Sequence, residues 1–182
     1  MVNFIIIKQS KHQMVDTTVK VHYFPAQGAC QATRYTLVAG GVAFEDVPAK
    51  SFPPTQEDTD LWRSLGKNTT TNVPMIIVGD KVYTQSTAII RVAARLGNLV
   101  PTGDDDLYLS DKLLADASDL NSAAMKAIKM FGATPEAEKK FINEDLPKHV
   151  GNIERQLGDN EWFVGGKLSI ADIAVYDSLT SK

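Results

Sequence analysis

An α/β unit followed by an all-helical unit is the fold class this sequence predicts, and three observations predict it. Between Val19 and Leu96, short apolar runs with strand periodicity alternate with helical stretches in the order βαβ, helix, ββα. Residues 97–104 are then rich in turn formers, and no strand signal follows them. Beyond that linker, Leu113, Ala117, Leu120, Ala124, Ile128 and Phe131 recur at steps of three and four, which is one face of a helix. The expected division is an N-terminal extension over residues 1–18, an α/β domain over 19–97 and a helical domain over 105–182.

Each element has its own warrant. Val19-Lys20-Val21-His22-Tyr23-Phe24 alternates at period two and stops at Pro25, as a strand does. Gly28 to Ala39 reads as a helix ended by Gly40-Gly41. A short strand over Phe44–Val47 and a helical or irregular piece over Thr55–Leu65 come next. Met75-Ile76-Ile77-Val78 and Lys81-Val82-Tyr83 flank Gly79-Asp80 and predict a tight hairpin. Thr87 to Leu96 is expected to be helical, with Ile89, Val92, Ala93 and Leu96 on one face. In the second unit, Thr134-Pro135 has the form of a cap with proline at the first helical position. The stripe Ile142, Leu146, Val150, Ile153, Leu157 should follow on one helix, kinked at Pro147. Ser169-Ile170-Ala171-Asp172 opens the last helix as a capping box.

Composition excludes several function classes. The 182 residues are 43% apolar and 23% charged, enough for a buried core, and the net charge of −3 offers no basic surface for nucleic acid. No stretch has the roughly 18 consecutive apolar residues of a membrane span. The apolar run Phe4–Ile7 lacks a charged leader and a cleavage site, so it is a poor signal peptide. Met14 is a second possible start, and residues 1–13 are expected to lie outside the fold. The single cysteine, Cys30, permits no internal disulfide and points to a reducing, cytoplasmic setting. His12, His22 and His149 are too scattered for a metal site.

Four stretches carry chemistry or its support: Tyr23-Phe24 followed by Gly28, Asn72-Val73-Pro74-Met75, Gln85-Ser86 at a helix start, and Leu168-Ser169-Ile170-Ala171-Asp172. Together they resemble the cytosolic glutathione transferases, and the resemblance covers nearly everything from Val19 onward. The nearest classes are those with an activating tyrosine, sigma above all and alpha close behind. The resemblance implies a thioredoxin-like N-terminal domain, glutathione as co-substrate, no metal, and a homodimer serving detoxification in the cytoplasm.

It also implies roles. Tyr23 would donate its hydroxyl to the glutathione sulfur. A free thiol with a pKa near ~8.5 is only a few per cent thiolate at pH 7. A hydrogen bond to a charged acceptor, worth about 1.5–3 kcal/mol, lowers that pKa by roughly one to two units. Val73, before an expected cis-Pro74, would pair through its backbone with the cysteinyl part. Gln85 and Ser86 would hold the γ-glutamyl carboxylate at a helix N-terminus, where free N–H groups favour anions; Ser86 is also a candidate cap. Trp62, Lys67 and Asn72 lie in the region that serves the glycine carboxylate. Asp119 would reach from one subunit to the glutamyl amine bound in the other. The thiolate would attack a small electrophile or a peroxide.

One position departs from the family pattern, which often reads Arg-Gly-Arg after the tyrosine. This chain has Gln27-Gly28-Ala29, and Ala29 has no charge to lend to a thiolate. That departure favours a rival reading, a non-catalytic crystallin-like member of the same family. A glutathione-dependent isomerase is a third. A catalytic Cys30 is disfavoured because no Cys-x-x-Cys is present. Lys182 falls early in the helix opened by Ser169, whereas the family usually adds further helices that line the electrophile pocket.

Overall fold

The computed structural model describes residues 18–65, 72–128 and 132–180. The expected extension before Val19, Lys67 and Phe131 lie outside these described residues, Thr18 alone excepted. Four strands form one mixed sheet in the order β2-β1-β3-β4: β1 (Val19–Tyr23), β2 (Phe44–Pro48), β3 (Met75–Val78) and β4 (Lys81–Thr84). β2 runs parallel to β1, while β3 runs antiparallel to both β1 and β4. The β3–β4 connection is the expected two-residue turn, with Gly79 at φ 61°.

Strand alternation sorts the sheet's two faces. Val19, Val21 and Ile76 pack with Leu37 of α1 (Gln31–Ala39) and with Ile89 and Ala93 of α3 (Ser86–Leu96). On the other face Met75 packs with Ala49 and with Trp62 of α2 (Gln56–Ser64). His22 is paired with Met75 in the register and so shares that second face. It is buried, and neither ring nitrogen has a hydrogen-bond partner among the described residues. Burial, aided by the Lys20 charge, lowers its pKa and favours the neutral ring.

α1 and α3 approach through glycine. A Cβ on Gly40 would lie 2.4 Å from the Gly97 Cα, so the two helix ends meet backbone to backbone. The end of the expected Gly28–Ala39 helix is as read, but its first turn, Gly28–Cys30, is 3₁₀. Leu96, expected on the apolar face of α3, is 40% exposed because it lies at the helix end.

The helical part contains α4 (Asp104–Lys126), α5 (Pro135–Lys140), α6 (Leu146–Leu157) and α7 (Ile170–Thr180). Leu113, Ala117, Leu120 and Ala124 are buried on α4 as their spacing requires, but Ile128 lies beyond the helix. Thr134 caps α5, its hydroxyl accepting from Ala137 N at 3.3 Å, with Pro135 in the first turn. The kink expected at Pro147 takes the form of a π turn over Phe141–Asp145, in which Leu146 N–H bonds the Phe141 carbonyl. Proline has no N–H for the carbonyl four residues back and its ring clashes with it, and the wider turn absorbs that conflict. Ile142 stands in this turn and is 54% exposed, so it does not join the stripe as expected.

Ser169 and Asp172 form the expected box at α7. Asp172 accepts from Ser169 N and Oγ, both at 2.8 Å, and from Phe163 N at 2.9 Å, while Ser169 Oγ accepts from Ala171 N at 3.3 Å. A second box at α2, which the sequence reading missed, joins Thr55 and Asp58. The Thr55 hydroxyl bond, foremost, holds the Asp58 carboxyl below its ordinary range. Ile90 and Ala94 of α3 share one cluster with Leu114 and Ala117 of α4 and Ile170, Ile173 and Ala174 of α7, so sheet unit and helices are packed through a common core.

Candidate active site

Three connections converge beside the sheet: the β1–α1 loop, the approach to β3, and the β4–α3 junction. They enclose a cavity of about 270 Å³ lined by Ala29, Asn72, Val73, Pro74, Gln85 and Ser86. Five of the sequence-predicted residues, Asn72, Val73, Pro74, Gln85 and Ser86, therefore meet at one place. The Val73–Pro74 peptide is cis.

Gln85 has φ 72° and ψ 115°, an unfavourable conformation for a residue with a Cβ. Such backbone costs about 1–3 kcal/mol and clusters at ligand sites. It turns the chain from β4 straight into α3, leaving the first N–H groups of an 11-residue helix at the cavity wall. Ser86, read from sequence as a possible cap, is instead the first helical residue; Gln85 occupies the cap position without a side-chain cap bond.

Tyr23 stands at the end of β1, half-buried, and its hydroxyl oxygen accepts a bond from Ala29 N at 3.0 Å. The amide fills an acceptor position on that oxygen, so the phenol proton is directed elsewhere, as a donor. Gly28 makes the approach possible: a Cβ there would come within 2.6 Å of the Tyr23 hydroxyl, and its φ is 44°. Neither the Ala29 amide nor the Gly28 clearance was read from the sequence.

Other expected residues lie elsewhere. Trp62, expected among donors to a carboxylate, is 4% exposed in the cluster with Met75 and Ala49, against which Val73 packs. It does not line the cavity; its bulk is used as core. Asp119 is exposed on α4, away from the cavity lining. Cys30 is fully buried, and burial pushes its thiol up to about 12, which suits packing and not nucleophilic work. Among the described residues no three His, Cys, Asp or Glu side chains gather as metal ligands, and no helix is long and apolar enough to cross a membrane.

Comparison with known proteins places this geometry. Residues 19–95 match the family model of the glutathione S-transferase N-terminal domain, and 119–181 that of the C-terminal domain. The chain is 30% identical over 165 residues to glutathione S-transferase 2 of Gallus gallus, covering 88% of this chain and 74% of that protein. It is 26% identical over 178 residues to a glutathione S-transferase of Plasmodium falciparum, covering 90% and 81%. In fold it is similar to the Pi-class glutathione S-transferase of Onchocerca volvulus, with a TM-score of 0.74 at 24% identity over 89% of this chain and 76% of that one. A glutathione S-transferase structure from Ascaris lumbricoides gives 0.70 at 25% identity, over 89% and 79%. With both halves matched in order and the cavity walled by the cis-proline segment and the α3 N-terminus, the chain belongs to the glutathione S-transferase family.

Proposed function

We propose that the chain is a glutathione transferase of the tyrosine type, closest to the sigma class, in which Tyr23 activates the thiol. The observation that carries this reading is the Tyr23 hydroxyl, fixed by the Ala29 amide at 3.0 Å beside the cavity. The Val73 backbone pairs with the cysteinyl part of glutathione. Gln85 and Ser86 hold the γ-glutamyl carboxylate, where the α3 dipole favours negative charge. Asn72 and Lys67 serve the glycine carboxylate, and Trp62 supports Val73 from behind. In a cytoplasmic homodimer, Asp119 of the partner subunit takes the glutamyl amine. The thiolate then attacks an electrophilic carbon or a peroxide, as in detoxification. Ala29, whose side chain favoured a non-catalytic reading, contributes through its backbone, which supports the enzymatic one.

Tyr23→Phe tests the proposal. It removes one hydroxyl and keeps the ring, so glutathione should still bind while conjugation slows by roughly ten- to a hundredfold, equivalent to about 1.5–3 kcal/mol. Cys30→Ser is the control and should change the rate little. An inactive Cys30→Ser beside a normal Tyr23→Phe would replace this mechanism with thiol–disulfide chemistry. Glutathione binding without conjugation in the unsubstituted chain would favour the crystallin-like reading.

A further inference from the structure

The residues lining the cavity, Ala29, Asn72, Val73, Pro74, Gln85 and Ser86, carry no formal charge, yet the reaction proposed above needs a thiolate there. A cation stands just behind the tyrosine. Arg34 of α1 donates through Nη1 to the Ala26 carbonyl at 2.7 Å and through Nη2 to the Phe24 carbonyl at 3.4 Å. Its Nε and Nη2 lie 2.9 and 3.1 Å from the Asp46 carboxylate on β2. The guanidinium carbon is 5.8 Å from the centroid of the Tyr23 ring, within cation–π range. Its side chain is only 13% exposed, so water screens it weakly.

We propose that Arg34 is a positioning residue for thiol activation: it acts through the Tyr23 ring, and Asp46 limits how much of its charge is felt at the hydroxyl. The proposal rests on the reading of Tyr23 above. A cation at the ring draws electron density from the phenol, which makes its O–H a stronger donor to the sulfur. The same guanidinium holds two carbonyls of the β1–α1 loop and so keeps Ala29 in reach of the tyrosine oxygen. The other titratable groups nearby oppose or ignore it. Asp46 on β2 is its direct counter-charge. Cys30, in the 3₁₀ turn before α1 and with its pKa raised to about 12, stays neutral, and Asp177 on α7 acts on that same thiol. Gln31, 3.5 Å from Nη1, is uncharged.

A brace and an electrostatic device predict different pH behaviour. The thiolate of bound glutathione, followed by its ultraviolet absorption against pH, reads its pKa in the unsubstituted chain and in Arg34→Gln, Arg34→Lys and Asp46→Asn. Arg34→Gln should raise that pKa by about one unit, a roughly tenfold loss of thiolate below it. Arg34→Lys keeps the charge and should stay within a few tenths of the unsubstituted value. Asp46→Asn frees the cation from its counter-charge and should move the pKa downward. If Arg34→Gln and Asp46→Asn shift it in the same direction, or both leave it unmoved, Arg34 only braces the loop and the proposal fails. Should Arg34→Gln not fold, an unchanged or raised pKa in Asp46→Asn overturns it equally. A thiolate lost in Tyr23→Phe but indifferent to Arg34 and Asp46 overturns this inference and leaves the tyrosine mechanism standing. No thiolate in the unsubstituted chain overturns both.

Discussion

A single methyl group at position 28 would meet the Tyr23 hydroxyl at 2.6 Å. Gly28→Ala should therefore displace the phenol or the loop, cutting conjugation at least tenfold, since a misplacement of about 1 Å can cost more than that. Steady-state rates beside a melting curve check it: activity should fall far more than stability, because Gly28 is exposed. His22 sets a second expectation. Its pKa is lowered in the folded chain, so the unfolded chain binds more protons near that range, and stability falls as pH drops through the ordinary histidine value of about 6.5. Urea midpoints at pH 7.5 and 5.5 should separate less in His22→Leu than in the unsubstituted chain. At this scale the sequence was partly legible. Tyr23, Gln85 and Ser86 announce themselves by side-chain chemistry and position. The Ala29 amide and the backbone angle of Gln85 do not, because every residue but proline has an amide and only the fold aims it.

Caps and close contacts decide the elements. Asp172 accepts three bonds at 2.8–2.9 Å around a buried Ser169. Asp172→Ala would leave part-buried donors unpaired at about 1–3 kcal/mol each, enough to depress soluble yield in a protein of ordinary marginal stability. Ser169→Ala should cost less, about 0.5–2 kcal/mol. Urea unfolding checks both, and full stability with lost activity in Asp172→Ala would contradict the structural role. Gly97→Ala would press a Cβ to 2.7 Å from the Gly40 Cα, and overpacking of this kind costs about 1–3 kcal/mol. Ser169-x-x-Asp172 was readable because a capping box is local in sequence. The Gly40–Gly97 contact was not: each glycine reads as a helix stop, and their meeting depends on how α1 and α3 lie across the sheet. Pro147 announces that a helical N–H is missing but not how the helix adapts, and the π turn over Phe141–Asp145 was not readable.

On the scale of the whole molecule, the cluster of Ile90, Ala94, Leu114, Ala117, Ile170, Ile173 and Ala174 ties sheet unit and helices into one packing unit. The chain should unfold in one transition. Its two tryptophans report on the two units, Trp62 on the α2 side of the sheet and Trp162 between α6 and α7. Fluorescence from Trp62→Phe and Trp162→Phe variants should give coincident denaturant curves; two midpoints would show the units unfolding separately. The order of strands and helices was legible because periodicity changes from two to 3.6 at each boundary. The shared cluster was not, since apolar stripes do not name their partners.

Cys30 closes the account in chemical terms. Fully buried, with its thiol held protonated by burial up to about 12, it is silent toward alkylating reagents for as long as the fold is closed. As the chain's single thiol, it is also an internal clock: each labelling event should record an opening of the buried cluster that holds it with Val21, Leu37 and Ile89. A protein that sharpens the thiol of its substrate thus keeps its own blunt, and the two can be counted apart in one tube.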